Sequence, residues 1–148
     1  KLVDQGVNII ITGRSEAKGE EAAKFSEKIN FRKWDMANWS EIESVADSVE
    51  PLDYVVLNAG GMPEEFQTND QGIELQFASQ LFGHYYLIQK LKEKGKLKKD
   101  ARIVWVTSGG MYLSKLGLKT IFENEKYDKV QTYANVKRAQ VTLLPFFT

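Results

Sequence analysis

Four short runs of β-branched and aromatic residues recur along the chain, each followed by a stretch with helical spacing. Val7-Asn8-Ile9-Ile10-Ile11-Thr12, between Gly6 and Gly13, reads as a buried strand, as do Asn30 to Trp34, Asp53 to Leu57 and Arg102 to Thr107. Ser15 caps a helix over Ser15 to Ile29, with Ala22, Ala23, Phe25 and Ile29 on its inner side. Asn38 or Ser40 caps a second helix carrying Ile42, Val45, Ala46 and Val49, and Pro51 ends it. A long helix is expected from about Gln71 to Lys92, and a last one from about Lys129 to Leu144; lysine-rich Lys92 to Lys99 reads as a solvated connection. Strands that alternate with helices and are almost continuously apolar predict an α/β fold, a doubly wound parallel sheet with helices on both faces. Ligands meet such sheets at the carboxyl ends of the strands. Here those ends carry Gly13-Arg14, Asp35, Asn58-Ala59-Gly60 and Thr107-Ser108.

With 148 residues and 43% hydrophobic content, residues 1–148 are expected to form a single domain. Lys and Arg number 20 and Asp and Glu number 20, so the basic excess of a nucleic-acid binder is missing. There is no cysteine and one histidine, a poor basis for a metal site, and none is expected. No apolar run approaches the roughly 20 residues that cross a bilayer, and a cytoplasmic, soluble protein is expected.

Tyr133-Ala134-Asn135-Val136-Lys137 sets a phenol and an ammonium one helical turn apart. A free phenol, with a pKa of about 10, is a poor proton shuttle near neutrality, and an adjacent cation lowers that value. Tyr86 and Lys90 share the spacing, so spacing alone does not choose. Chain order does: a strand ending in the hydroxyl of Ser108 precedes Tyr133, whereas Tyr86 lies mid-helix among Tyr85, Leu87 and Ile88, where packing explains it.

The order strand-Asn58-Ala59-Gly60, strand-Ser108 and Tyr133-x-x-x-Lys137, together with Asp35-Met36, resembles the signature of the short-chain dehydrogenase/reductase family. Val106 to Met111 and Tyr127 to Arg138 resemble more narrowly its twelfth-member branch, close to the retinol-dehydrogenase-like enzymes. The resemblance implies a Rossmann-like sheet, here incomplete: the family's first strand, its glycine-rich loop and its last strands have no counterpart in these residues. The missing first strand would lie between the strand ending at Gly13 and the one ending at Asn58, so the stretch by itself is expected to be unstable and barely active.

The resemblance also implies roles. Tyr133 would be the general acid/base, Lys137 would lower its pKa and hold the nicotinamide ribose, and Ser108 would orient the carbonyl. Asp35, with Met36 beside it, would accept from the adenine amino group, and Asn58, Ala59 and Gly60 would line the cofactor. Gln80 stands where the family usually has a water-holding asparagine. His84 reads as packed rather than catalytic. Arg14, with Ser15 and Lys18, suits a 2′-phosphate, so NADP(H) is expected over NAD(H). The expected activity is carbonyl–alcohol interconversion on a hydrophobic small molecule, walled by the apolar stretch between Ser108 and Tyr133, in a protein that pairs as a homodimer. A non-catalytic cofactor-binding sensor or scaffold, or a truncated chain without activity, is the alternative.

Overall fold

The structure, a computed structural model, describes residues 1–122 and 127–147. It contains two compact units, Lys1–Asp35 and Met36–Thr148.

In the first unit Gly6, at φ 84°, closes a short turn over Val3–Gln5 and leads into β1 (Ile9–Gly13), α1 (Glu16–Ala23) and β2 (Ile29–Lys33). The two strands pair in parallel from Ile9↔Ile29 to Gly13↔Lys33. Ser15 caps α1 as expected, its hydroxyl accepting from the Lys18 N–H. However, α1 stops at Ala23 rather than Ile29, and Phe25 is 85% exposed instead of facing inward. Ile29 is the first residue of β2, and Phe25 to Lys28 form the turn that reverses the chain. Gly19 lets α1 lie directly on β2, since a Cβ there would stand 2.2 Å from the Phe31 ring.

The second unit holds α2 (Ser40–Asp47), β3 (Leu52–Leu57), a π-helical stretch Phe77–Gly83 that continues as α3 (His84–Glu93), then β4 (Leu97–Trp105) and α4 (Lys129–Leu143). In α2, Ile42 and Ala46 are buried at the expected spacing. The N-cap position falls on Trp39; Asn38 and Ser40 bond to each other and Asn38 to Glu41, not to backbone N–H groups. Helical turns start at Leu75, not Gln71. Gly72, at φ 74°, sits in a turn whose Ile73 N–H donates to Asn69 Oδ1, and the buried Glu74 carboxylate caps the helix by accepting from the Gln76 and Phe77 N–H groups at 2.9 and 3.0 Å. Burial raises the Glu74 pKa above its ordinary value, against those hydrogen bonds.

Strand β4 begins earlier than expected, at Leu97, so Lys98 and Lys99 belong to a strand and not to a loop. Lys98 pairs with Asp53 on β3 at 2.8 Å, which shows how a charged run is accommodated on an outer strand. β3 and β4 run parallel from Tyr54↔Arg102 to Leu57↔Trp105, with a register shift after Leu52↔Leu97. Phe77, Leu81, Ile121, Val136 and Ala139 form one buried hydrophobic cluster of the second unit, with Trp105 packed against it. The four strands thus make two separate two-stranded parallel sheets, a partial doubly wound fold. Its strands are not buried on both faces: Tyr54 is 64% and Val56 62% exposed.

Candidate active site

The parallel pairing of β3 with β4 sets two strand ends side by side, and the Val106 N–H extends the ladder by donating to the Leu57 carbonyl at 3.1 Å. Past one end lies the exposed turn Asn58-Ala59-Gly60-Gly61, past the other Thr107-Ser108. Ser108 is extended and caps the turn Gly109–Leu113, its Oγ accepting from the Gly110 N–H at 3.1 Å.

Helix α4 brings the phenol and the ammonium to the same place. Asp128 starts it, accepting from the Val130 and Gln131 N–H groups. A Cβ built on Gly110 would lie 3.4 Å from Tyr133 Cε1 and 3.5 Å from Ser108 Oγ, so the hydroxyl and the phenol ring flank one glycine. Lys137 Nζ stands 5.3 Å from the centre of the Tyr133 ring and donates to the Val106 carbonyl at 3.1 Å. The Lys137 carbonyl in turn accepts from Thr107 Oγ1, fixing α4 to the end of β4 from both directions. Lys137 is buried, and desolvation lowers its pKa from the ordinary lysine value.

Tyr86 and Lys90 provide an internal control. Their cation–ring separation is 5.2 Å, nearly the same. Yet Lys90 lies 3.0 Å from Glu43 and 2.9 Å from Glu93, and those carboxylates raise its pKa. One pair belongs to an ion cluster; the other holds a buried cation that donates to a backbone carbonyl.

Gln80 is buried, donating through Nε2 to the Gly61 carbonyl at 2.8 Å, while its own carbonyl accepts from Gln140 Nε2 at 2.7 Å. The reason for Gly60 is local: a Cβ there would meet Gln80 Oε1 at 2.6 Å. Met36 enters through its backbone, because a Cβ on Gly83 would lie 2.2 Å from the Met36 carbonyl oxygen.

In the first unit, Thr12, Arg14, Ser15, Lys18, Gly19 and Phe31 line part of a shallow, open surface depression at the N-terminus of α1. The Arg14 guanidinium reaches Asp35 at 4.0 Å, and both side chains remain open to solvent. A helix N-terminus with an arginine, a hydroxyl and a lysine suits a phosphate group. Among the described residues there is no cluster of three or more side chains fit to hold a metal.

Several residues of this region carry no local sequence signal. Asn135 Oδ1 lies 2.6 Å from Ser114 Oγ, and Arg138 Nε donates to the Met111 carbonyl, holding the stretch after Ser108 against α4. Trp105 Nε1–H donates to His84 Nδ1 at 2.9 Å, joining β4 to the helix that carries Gln80. Helical spacing identifies the inner face of α4, but not which backbone groups it grips.

Residues 1–119 match the family description short chain dehydrogenase. The human polyprenol dehydrogenase is 26% identical over 95% of this chain and 47% of its own length. Human retinol dehydrogenase 13 is 28% identical over 95% and 46%, and human dehydrogenase/reductase SDR family member 12 is 31% identical over 71% and 33%. The chain thus spans about half the length of the first two and a third of the last. Among solved structures, an uncharacterized protein from Mycobacterium Paratuberculosis superposes with a TM-score of 0.78 at 24% identity, over 95% of this chain and 55% of that one. A short-chain dehydrogenase/reductase from Brucella melitensis gives 0.73 at 19% identity, over 99% and 60%. These likenesses show the Rossmann-like fold.

Proposed function

The chain belongs to the short-chain dehydrogenase family of oxidoreductases, resembling the branch of family member 12, and from that premise we propose that its site interconverts a carbonyl and an alcohol. The observation that carries this reading is the placement of Ser108 Oγ and the Tyr133 ring around Gly110, with buried Lys137 beside that ring. When bound, a nicotinamide cofactor supplies or takes the hydride. The Ser108 hydroxyl donates to the substrate oxygen and fixes its direction. Tyr133 passes a proton to that oxygen in reduction and removes it in oxidation. Lys137, which makes no ion pair with a carboxylate among the described residues, keeps its ammonium beside the Tyr133 ring and holds the nicotinamide ribose. Gln80 holds the Asn58–Gly61 turn through Gly61, and Asn58, Ala59 and Gly60 present that exposed turn to the cofactor. Asp35 takes the adenine amino group, with Met36 beside it.

Cofactor choice follows from the first unit. Arg14, Ser15 and Lys18 beside the α1 N-terminus match the charge and hydrogen-bonding needs of a 2′-phosphate, which favours NADP(H) over NAD(H). A hydrophobic substrate is favoured by Tyr112, Leu113, Leu116, Leu118 and Phe122, exposed on the stretch that α4 holds beside Ser108. The names of two relatives, for polyprenol and retinol, point the same way.

A screen of hydrophobic aldehydes and ketones with NADPH, using the protein at its natural length, tests the reading. Tyr133→Phe is expected to lower reduction by about 10²-fold or more, the usual contribution of a general acid. An undiminished rate in that variant would rule out the assigned role. Saturable cofactor binding without turnover of any substrate would favour a sensor or scaffold instead.

A further inference from the structure

His84 is the chain's one histidine, is fully buried on the inner side of α3, and takes no part in the chemistry assigned above. Its Nδ1 accepts the Trp105 indole N–H at 2.9 Å, and the two rings meet edge to face at 5.9 Å. A neutral imidazole that accepts at Nδ1 must carry its proton on Nε2. That Nε2 is buried and closes no hydrogen bond of full geometry among the described residues, although backbone carbonyls face the ring. The groups around the ring are known from each side. Lys137 faces it from α4, the neutral Trp105 from β4, the Ala59 carbonyl from the turn after β3, and the Gln80 carbonyl from its own helix.

We propose that Trp105 and His84 form a positioning pair: the indole fixes the imidazole as the Nε2–H tautomer, and that N–H is directed at the Ala59 carbonyl. The ring thereby braces the Asn58–Gly60 turn from behind without placing a second cation beside Lys137. The inference rests on the reading of that turn and Lys137 as cofactor-binding. Protonating Nδ1 would set an N–H against the indole N–H and a charge beside Lys137. Burial first and Lys137 second lower the His84 pKa to about 4, against the opposite pull of the Ala59 and Gln80 carbonyls. The neutral form is therefore the working form at all ordinary pH values. Trp105, whose indole would otherwise read only as core, is what selects the tautomer.

Imidazole ¹⁵N spectra of the protein at its natural length test the pair, with the signal assigned by its loss in His84→Gln. The Nε2–H tautomer is expected, unchanged from pH 8 to pH 5. A Nδ1–H tautomer, or titration near the ordinary histidine value, would overturn the proposal; both readings come from the unaltered protein and so survive a variant that fails to fold. In Trp105→Phe the ring should titrate at higher pH, and NADPH affinity should fall by roughly threefold or more on acidification through that transition. Adding His84→Gln should flatten that dependence, because its amide can donate to Ala59 but cannot become a cation. A pH-independent affinity in Trp105→Phe would also overturn the pair. If the expected tautomer is present but neither NADPH nor NADH binds, the assignment of the site fails and the pair's geometry does not.

Discussion

Two Tyr-x-x-x-Lys pairs with the same spacing and nearly the same cation–ring distance differ in their surroundings. Lys90 is neutralised by Glu43 and Glu93, while Lys137 is buried and bonded to the Val106 carbonyl. Lys137→Met should therefore reduce turnover by at least about tenfold, because the proposed site loses the cation held beside the Tyr133 ring. Lys90→Met should leave turnover within about twofold, since exposed ion pairs contribute little even to stability. Equal effects of the two variants on kcat would refute this contrast. Arg14→Asp is expected to reverse a preference for NADPH by placing a carboxylate where a phosphate would sit, read as the ratio of the two dissociation constants. His84 gives a pH signature of its own. Between about pH 4 and pH 6.5 the unfolded chain binds a proton at this residue and the folded chain does not. Its contribution is thus complete above pH 6.5 and falls as pH drops toward 4, by roughly 3 kcal/mol. Glu74, whose pKa is raised, acts in the opposite sense, so the comparison must be with His84→Gln, in which denaturation midpoints should lose this acid dependence.

At the scale of elements, the glycines record where backbones meet. Gly83→Ala would drive a methyl against the carbonyl oxygens of Met36 at 2.2 Å and Ala78 at 2.9 Å, neither of which can swing away. A loss of about 1–3 kcal/mol is expected from denaturant unfolding, the usual cost of overpacking. Gly60→Ala meets only the end of the Gln80 side chain, so it should cost less while releasing that amide from Gly61. The sequence marks elements well where apolar period and capping agree: α4 runs from Lys129 to Leu143 behind Asp128, and β3 from Leu52 to Leu57. It misleads where a tertiary contact sets the boundary. The first turn of the long helix waits for the Glu74 carboxylate, and α1 gives up Phe25 to the turn before β2. Lys98 hides a strand residue because its partner, Asp53, is 45 positions away in sequence. Ser108, Tyr133 and Lys137 are legible from type and order. The Trp105–His84 bond and the grip of Gln140 on Gln80 are not, because nothing local requires them.

Over the whole chain, two parallel pairs replace one continuous sheet, and Tyr54, Val56, Ile103 and Val104 keep considerable exposure on the second. Two-stranded sheets are weak on their own, and exposed apolar strand residues give them little burial to compensate. The 148 residues in isolation should therefore bind a hydrophobic dye and unfold over a broad range of denaturant; a sharp two-state transition without dye binding would show that they are self-sufficient. The most direct test of the central claim is a fluorescence titration of the protein, at its natural length, with NADPH and separately with NADH. Saturable binding of both, tighter for NADPH, is the predicted result. Binding of neither cofactor would contradict the assignment of these residues to a nicotinamide-dependent oxidoreductase site.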